Sequence, residues 1–183
     1  AVFFDIDEKV LIDFARESRK YGIDMLVMDD GWFGKRVNDR AGLGDWFENR
    51  ERFPDGLKAF AERVKAEGVG FGIWIEPEMV NPDSDLYRAH PEWTLRVPGR
   101  TSSLSRHQLV LDMSNRDVVE YLKTSFEKTF GGVPIDYIKW DMNRPFTDVG
   151  SNVLDADRQG EIMHRHTLAV YELQGRLLKE FPY

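Results

Sequence analysis

Residues 135–141, Ile-Asp-Tyr-Ile-Lys-Trp-Asp, contain the pattern that decides the fold: a short β-prone run that ends on an acidic residue. The same pattern recurs at residues 23–29, 69–76 and 108–112. Segments with the spacing of amphipathic helices separate these runs along the chain. Alternating strands and helices predict a parallel sheet whose strands are joined by right-handed crossovers.

The first two helical segments have recognisable starts and ends. Residues 2–6 form a further β-prone run, and Asp7 after it is predicted to be an N-cap, as is Asp55 later in the chain. An aspartate at this position accepts hydrogen bonds from the free amides of the first helical turn. Gly22 and Gly68 follow the two helical patterns and are predicted to end them.

Two more helices are expected in the second half of the chain. One is predicted to begin at Ser114 or Asn115, and the last to span residues 157–179. Three apolar residues spaced by seven along the last helix are expected to face the core. These residues are Met163, Val170 and Leu177.

Two architectures fit such a chain, an open doubly wound sheet and a (β/α)8 TIM barrel. No glycine-rich phosphate-binding motif follows any run, which weakens the doubly wound alternative. Acidic residues at the ends of four runs favour the barrel, because barrel enzymes place their chemistry at the carboxyl ends of the strands. The predicted fold class is α/β, and the TIM barrel is the favoured architecture although a barrel needs eight βα units and only five are recognisable. Residues 1–183 are expected to form one partial domain, with about the first five βα units, truncated before the sixth strand.

The composition is that of a globular protein and narrows its partners. Hydrophobic residues make up 42% and charged residues 31% of the 183 residues, and the formal net charge is −7. A negative charge disfavours nucleic acids and anionic membranes as partners. No apolar stretch has the length of a membrane helix and no leader sequence is recognisable, so the expected location is cytoplasmic.

Neither a metal ion nor another cofactor is predicted. The chain has no cysteine, so a thiolate metal site is excluded. The histidines lack metal-ligand spacing, since His164 and His166 are two residues apart and lie on different faces of a helix. A metal-dependent barrel hydrolase that uses the strand-end acids is an alternative that these observations weaken.

The strongest site signal lies at the end of the fifth run. Lys139, Asp141 and Asn143 share one face of the predicted strand, because side chains alternate along a strand. A lysine beside an aspartate favours the ionised carboxylate, which is the form that acts as a nucleophile. The alternative is a buried ion pair that only fixes the interior of the barrel.

Three other clusters are candidates for binding. Asp29 and Asp30 lie close to Trp32 in the sequence. The two carboxylates could bind sugar hydroxyls, a metal or a helix N-terminus, and the tryptophan ring could form an apolar platform beside them. The alternative is a turn with solvated acids. Residues 74–78, Trp-Ile-Glu-Pro-Glu, place one tryptophan and two glutamates on one face, where they line a pocket. The alternative is a structural acid at Glu76 and a solvated carboxylate at Glu78. Arg106 precedes the fourth run and is either a clamp for a ligand or part of a surface salt bridge.

Taken together, these motifs resemble those of the α-galactosidases of glycoside hydrolase family 36. The resemblance rests on residues 28–34 (MDDGWFG), 74–80 (WIEPEMV), 108–112 (QLVLD) and 139–144 (KWDMNR), in this order and at the family's spacing. It runs through nearly the whole chain. It implies a (β/α)8 catalytic domain that hydrolyses terminal α-galactosides such as melibiose and raffinose with retention of configuration.

The resemblance also implies a role for each matching residue. Asp141 corresponds to the nucleophile that forms a covalent galactosyl intermediate. Asp29 and Asp30 correspond to the acid pair that binds the galactose O4 and O6 hydroxyls. The substrate-binding residues that it implies are Asp29, Asp30, Trp74, Arg106, Lys139 and Asn143.

The family's acid/base residue, an aspartate after the sixth strand, has no counterpart in these residues, so the isolated chain is expected to be inactive. The partner expected is an α-galactoside oligosaccharide. A partial barrel with open edges is also expected to associate with its own copies or to belong to a larger chain. The alternatives are a galactosyl-transferring enzyme, an α-N-acetylgalactosaminidase, and a non-catalytic barrel fragment.

Overall fold

The structure is a computed structural model that describes residues 3–181. Five α-helices, five strands and two short 3-10 helices make up this part of the chain. In chain order they are α1 (Glu8–Lys20), β1 (Met25–Met28), α2 (Gly56–Ala66), β2 (Gly70–Ile75), β3 (Met79–Val80), α3 (Asp85–Ala89), a 3-10 helix (Pro91–Trp93), β4 (Leu109–Val110), α4 (Arg116–Phe130), β5 (Tyr137–Trp140), a 3-10 helix (Ala156–Glu161) and α5 (Ile162–Glu180).

Three parallel strands form the main sheet, in the order β1-β2-β5. The central strand β2 pairs Ile73 with Met28 of β1 and Ile75 with Trp140 of β5. Helix α2 connects β1 to β2, and α4 lies on the connection from β2 to β5. The three strands therefore end at one edge of the sheet, as the alternating pattern predicted.

The prediction of five βα units was wrong for the part of the chain that the structure describes. The run at residues 108–112 forms β4, which pairs antiparallel with β3, Val80 opposite Leu109. Residues 3–6 form no strand, and residue 2 lies outside the described residues. A run of three apolar residues, such as residues 109–111, indicates that a segment is buried but carries no information about the direction of its partner strand.

The helix caps agree with the sequence in two cases of three. Asp7 accepts a hydrogen bond from Val10 N at 2.8 Å, and Asn115 caps α4 through Asp117 N. Asp55 stands at the N-cap of α2 but makes no capping hydrogen bond. The carboxylate of Glu48, from the preceding loop, accepts from Leu57 N at 2.7 Å instead.

The buried face of α5 differs from the predicted one. Met163 is 44% exposed, so the seven-residue spacing did not identify the face that packs on the core. That face contains a histidine, which a pattern based on apolar residues leaves out. Its buried residues are Ile162, His166, Ala169, Leu173 and Leu177.

An aromatic cluster forms the core beneath the carboxyl edge of the sheet. Trp32, Phe33 and Trp46 pack with ring centroids 4.6 to 6.1 Å apart, and Phe130 of α4 joins them at 5.6 Å from Trp32. Trp32 is fully buried and donates its indole N–H to the carbonyl oxygen of Trp74 at 2.8 Å. The prediction that Trp32 is a platform for a sugar is therefore wrong, since its ring is part of the core.

Within residues 3–181, no helix is long and apolar enough to cross a membrane.

Candidate active site

The candidate site lies at the carboxyl edge of the main sheet. Asp29 follows β1, Glu76 follows β2 and Asp141 follows β5. Trp74 and Lys139 are directly opposite in the register of β2 and β5. Because the three strands are parallel, acids that are far apart in sequence meet at one edge.

Asp141 is held in place at both of its carboxylate oxygens. The indole N–H of Trp74 donates to Oδ2 at 3.0 Å, and the amide of Met142 donates to Oδ1 at 3.0 Å. The amide of Asp141 itself donates to Ile75 O at 2.8 Å, which extends the pairing of β2 and β5 by one residue.

Partial burial acts against ionisation of Asp141, but hydrogen bonds from Trp74, Asn143 and Met142 outweigh it, and the charge of Lys139 adds to them. The pKa of the Asp141 carboxyl therefore lies below its ordinary value. The side chain is a fixed, ionised carboxylate at neutral pH, as a nucleophile requires.

The lysine of the site pairs with a different aspartate from the one that the sequence suggested. Lys139 Nζ lies 2.8 Å from Asp29 Oδ2, and this hydrogen bond raises the pKa of the lysine. Lys139 acts on Asp141 through its charge alone, as the last of the causes that lower the pKa of that carboxyl. Both side chains of the pair are partly exposed, so Asp29 and Lys139 form an open, polar side of the site.

Asp30 is held by a buried arginine that the sequence analysis missed. The guanidinium of Arg36 binds both carboxylate oxygens, Nε to Oδ1 at 2.8 Å and Nη2 to Oδ2 at 2.7 Å. Arg36 is 2% exposed and Asp30 is partly exposed. A bidentate pair fixes the plane of the carboxylate. An arginine six residues after an acid pair carries no periodic signal, so only the folded loop reveals this partner.

Glu76 is a buried structural acid behind Asp141. It is 1% exposed, accepts from Gln108 Nε2 at 3.0 Å and accepts from the amide of Asn143. Burial raises the pKa of the Glu76 carboxyl, which hydrogen bonds to Asn143 and Gln108 partly offset. Of the two sequence interpretations, the structural one fits Glu76, because it fixes the chain just after the candidate nucleophile.

Glu78 is also buried, so the alternative of a solvated carboxylate was wrong; it lies at the centre of a second group that the sequence analysis missed. The indole N–H of Trp140 donates to Glu78 Oε1 at 3.0 Å, and His166 Nε2 of α5 lies 2.6 Å from Oε2. His166 is 4% exposed and Glu78 is 6% exposed. This contact ties α5 to the residue that precedes Asp141.

One further acid, Asp112, and one arginine, Arg106, complete the comparison with the sequence. Asp112 is buried and accepts hydrogen bonds from the side chains of Ser114 and Ser151, so it joins loops and does not reach the sheet edge. Arg106 is exposed, in a turn where its φ is 51°. Among residues 3–181 its side chain makes no hydrogen bond or ion pair, and the surface salt bridge is not formed.

In the part of the chain that the structure describes, no group of three or more His, Asp and Glu side chains could hold a metal ion.

The solved structures that this chain resembles include those of α-galactosidases. That of the family 36 enzyme AgaA from Geobacillus stearothermophilus has a TM-score of 0.95 and 46% identity, and the match covers 100% of this chain and 25% of that chain. The α-galactosidase TtGalA from Thermus thermophilus has a TM-score of 0.71 and 26% identity, over 96% of this chain and 34% of that chain. In fold, this chain thus corresponds to a part of the α/β structure of these glycoside hydrolases.

The family can be stated as well. The model of the family described as Melibiase matches residues 1–183. α-Galactosidase 1 of Pediococcus pentosaceus is 44% identical and an α-galactosidase of Escherichia coli 38% identical, each over 183 residues. The chain belongs to the Melibiase family. It spans 25% of the length of these two relatives.

Proposed function

We propose that the protein containing this segment is a retaining α-galactosidase and that Asp141 is its nucleophile. The observation that carries the proposal is the state of Asp141, a carboxylate with a lowered pKa and both oxygens held at the edge of a parallel sheet. The names of the relatives support the substrate class, and structures of AgaA variants in complex with raffinose and with stachyose support oligosaccharides.

In the proposed reaction, an oxygen of Asp141 attacks the anomeric carbon of the galactoside and the glycosidic bond breaks. The leaving oxygen takes a proton from a second carboxylic acid, which leaves a covalent galactosyl ester on Asp141. Water then gives a proton back to the second carboxylate and attacks the anomeric carbon. The ester bond breaks, galactose leaves with its original configuration, and Asp141 returns to the carboxylate.

The other residues of the site are proposed to bind and orient the sugar. Asp30 keeps a fixed carboxylate plane because Arg36 binds it in a bidentate pair, and this suits it to accept hydrogen bonds from sugar hydroxyls. Asp29 and Lys139 present an acceptor and a donor side by side at the open side of the site. Trp74 is 2% exposed, so its main proposed role is to hold Asp141 through its indole N–H.

The segment by itself is proposed to be inactive on ordinary galactosides. The neighbouring carboxyl of Glu76 is 1% exposed and already engaged by Gln108 and Asn143, so it is unsuited to deliver a proton to a leaving group. The resemblance to family 36 assigns the acid/base to an aspartate that these 183 residues do not match. Purified chain 1–183 should therefore not release galactose from melibiose.

The proposal is tested in a graft that supplies the rest of the enzyme. The 183 residues replace the matching quarter of AgaA, which is 45% identical to this chain over all 183 residues. We expect the graft to hydrolyse raffinose with retained configuration, and a 2-deoxy-2-fluoro-galactosyl fluoride to leave one sugar on Asp141, visible by mass spectrometry of peptides.

The Asp141→Asn graft is the control, and it should fold equally well but take up no sugar. A folded wild-type graft that neither hydrolyses raffinose nor is labelled would refute the proposed function. Label on another carboxylate would refute the role of Asp141. Oligosaccharide products longer than the substrate would show galactosyl transfer, which passes through the same intermediate.

A further inference from the structure

One buried amide, that of Asn81, lies between the partner of Asp30 and the turn that carries Arg106, the arginine to which the family resemblance assigns a substrate contact. Asn81 follows β3 directly and is fully buried, so each of its polar atoms needs a partner within the protein. Its Oδ1 accepts from Arg36 Nη1 at 2.9 Å and from Leu43 N at 2.9 Å. Its Nδ2 donates to His107 O at 2.7 Å and to Asp39 O at 3.3 Å. An amide is the one side chain of this size with two acceptor and two donor sites.

The acceptor side of Asn81 leads to Asp30. Arg36 uses Nη1 for Asn81, while its Nε and Nη2 hold the Asp30 carboxylate. Arg36 also donates from Nη1 to Ala41 O at 3.0 Å. The buried guanidinium is therefore fixed from both sides, and Asn81 sets how far it reaches toward Asp30.

The donor side of Asn81 leads to Arg106. Arg106 and His107 have φ values of 51° and 60°, in the left-handed region that non-glycine residues seldom occupy. Two such residues in succession persist only when the surroundings hold them. Asn81 supplies one of these constraints through the His107 carbonyl. Arg144, 4% exposed, supplies others through Ser103 O and Gln108 O.

We propose that Asn81 is a positioning residue that fixes Asp30 and Arg106 relative to each other in the galactose pocket. The inference rests on the proposed function for the role of Asp30, and on the family resemblance for the substrate contact of Arg106. The contacts that carry it, from Asp30 through Arg36 and Asn81 to His107, are geometric and stand without it.

The substitution Asn81→Asp tests the donor side of the amide separately from its acceptor side. The carboxylate keeps acceptors for Arg36 and Leu43 but loses both donors, so it turns an oxygen toward the carbonyl of His107. In the AgaA graft we expect KM for raffinose to rise about tenfold, with kcat changed less than about threefold, because one buried hydrogen bond to the binding turn is lost. Arg106→Ala should raise KM to a similar extent.

The decisive result is the double variant. If Asn81 acts through Arg106, Asn81→Asp should have little further effect on KM once Arg106 is alanine. A KM for Asn81→Asp within about twofold of wild type, or full additivity of the two changes, would overturn the proposal.

A second measurement keeps the inference separate from the proposed function. In the 183-residue chain, Asn81→Asp should speed amide hydrogen exchange at residues 103–108 and leave β2 unchanged. If the wild-type graft is inactive, the proposed function is refuted, but the exchange measurement still tests whether Asn81 holds the turn at residues 103–108. Unchanged exchange at residues 103–108, or equal acceleration throughout the sheet, would contradict a positioning role.

Discussion

At the scale of single residues, hydrogen bonds from neutral N–H groups stabilise the ionised carboxylate of Asp141 more than the charge of Lys139 does. The lysine on the same strand is engaged by Asp29, so it affects Asp141 only through its charge. The indole of Trp74 and the amide of Met142 contact the carboxylate directly. Directed N–H groups fix the position of the oxygens as well as their charge, which a flexible lysine does less well.

Trp74→Phe removes the indole donor and keeps an aromatic ring in the core. The pKa of Asp141 should rise toward its ordinary value, because one of the hydrogen bonds that stabilise the carboxylate is lost. A nucleophile must be ionised, so the acid limb of kcat/KM against pH should move to higher pH. At neutral pH the carboxylate stays ionised, but the rate should fall about tenfold because the lost hydrogen bond no longer holds it in position.

The measurement is a pH profile of the graft with a galactoside of good leaving group. Trp93→Phe is the matched control, since Trp93 stacks on His90 away from the sheet edge. An acid limb that stays at the wild-type pH in Trp74→Phe would show that the indole does not set the charge state of Asp141.

At the scale of elements, a charge network joins α4 to α5. Glu172 of α5 lies 2.6 Å from Arg116 of α4 and 2.6 Å from Arg176 one turn along its own helix. The hydrogen bond from Arg116, with further contributions from its charge and from Arg176, lowers the pKa of the Glu172 carboxyl to about 2. Helix α5 also carries His166, so its packing against α4 helps to hold the contact between His166 and Glu78.

Glu172→Gln should destabilise the chain by about 0.5–1 kcal/mol at neutral pH, a value that allows for solvent screening of a partly exposed network. The folded-state pKa is depressed, so the contribution is complete above the unfolded pKa of about 4.5. It is lost as the pH falls from there to about 2. The wild-type advantage should therefore shrink over this range.

Urea unfolding of both proteins at neutral and at acidic pH measures the difference. Glu62→Gln on α2 is the control, because Glu62 forms no ion pair among the described residues and should change stability little at either pH. An advantage of wild type over Glu172→Gln that persists unchanged at about pH 2 would contradict the assignment.

At the scale of the whole molecule, the sheet has two open sides within residues 3–181. Strands β1 and β5 each pair with β2 alone, so each has one free edge. An apolar groove runs beside β5, and it is lined by Ile138, Trp140, Gln174, Leu177, Leu178 and Phe181. A second lies beside β1, with Phe14 and Leu26 among its lining residues. Apolar surface next to an unpaired strand favours association.

We expect the purified 183-residue chain to associate with itself, with a mass by light scattering that rises with concentration. Leu178→Lys should weaken the association, because it places a charge in the groove beside β5. Leu168→Lys is a matched control on the same helix, since both leucines are 53% exposed and Leu168 does not line the groove. A wild-type chain that stays monomeric and melts cooperatively would contradict this expectation.

The sequence by itself determined the parallel sheet and the acids at its edge. Alternation places Lys139 and Asp141 on one face of a strand, and the end of an apolar run marks where a strand stops. Both signals lie within ten residues of the chain. The caps at Asp7 and Asn115 were readable for the same reason, since a cap and its amide are two or three residues apart. The family motifs then implied galactose as the sugar of the substrate, which the periodicity of the sequence could not do.

Only the tertiary structure decided which strands belong to the sheet and which partners hold the acids. The run at residues 108–112 reads as a barrel strand until β3 is seen to pair with it from the opposite direction. Glu78 and His166 are 88 residues apart, and Asn81 and His107 are 26 apart. A local pattern reports burial and periodicity, but it holds no information on which distant side chain fills a neighbouring space. That choice is made when helices and loops pack together and every buried polar atom requires a partner.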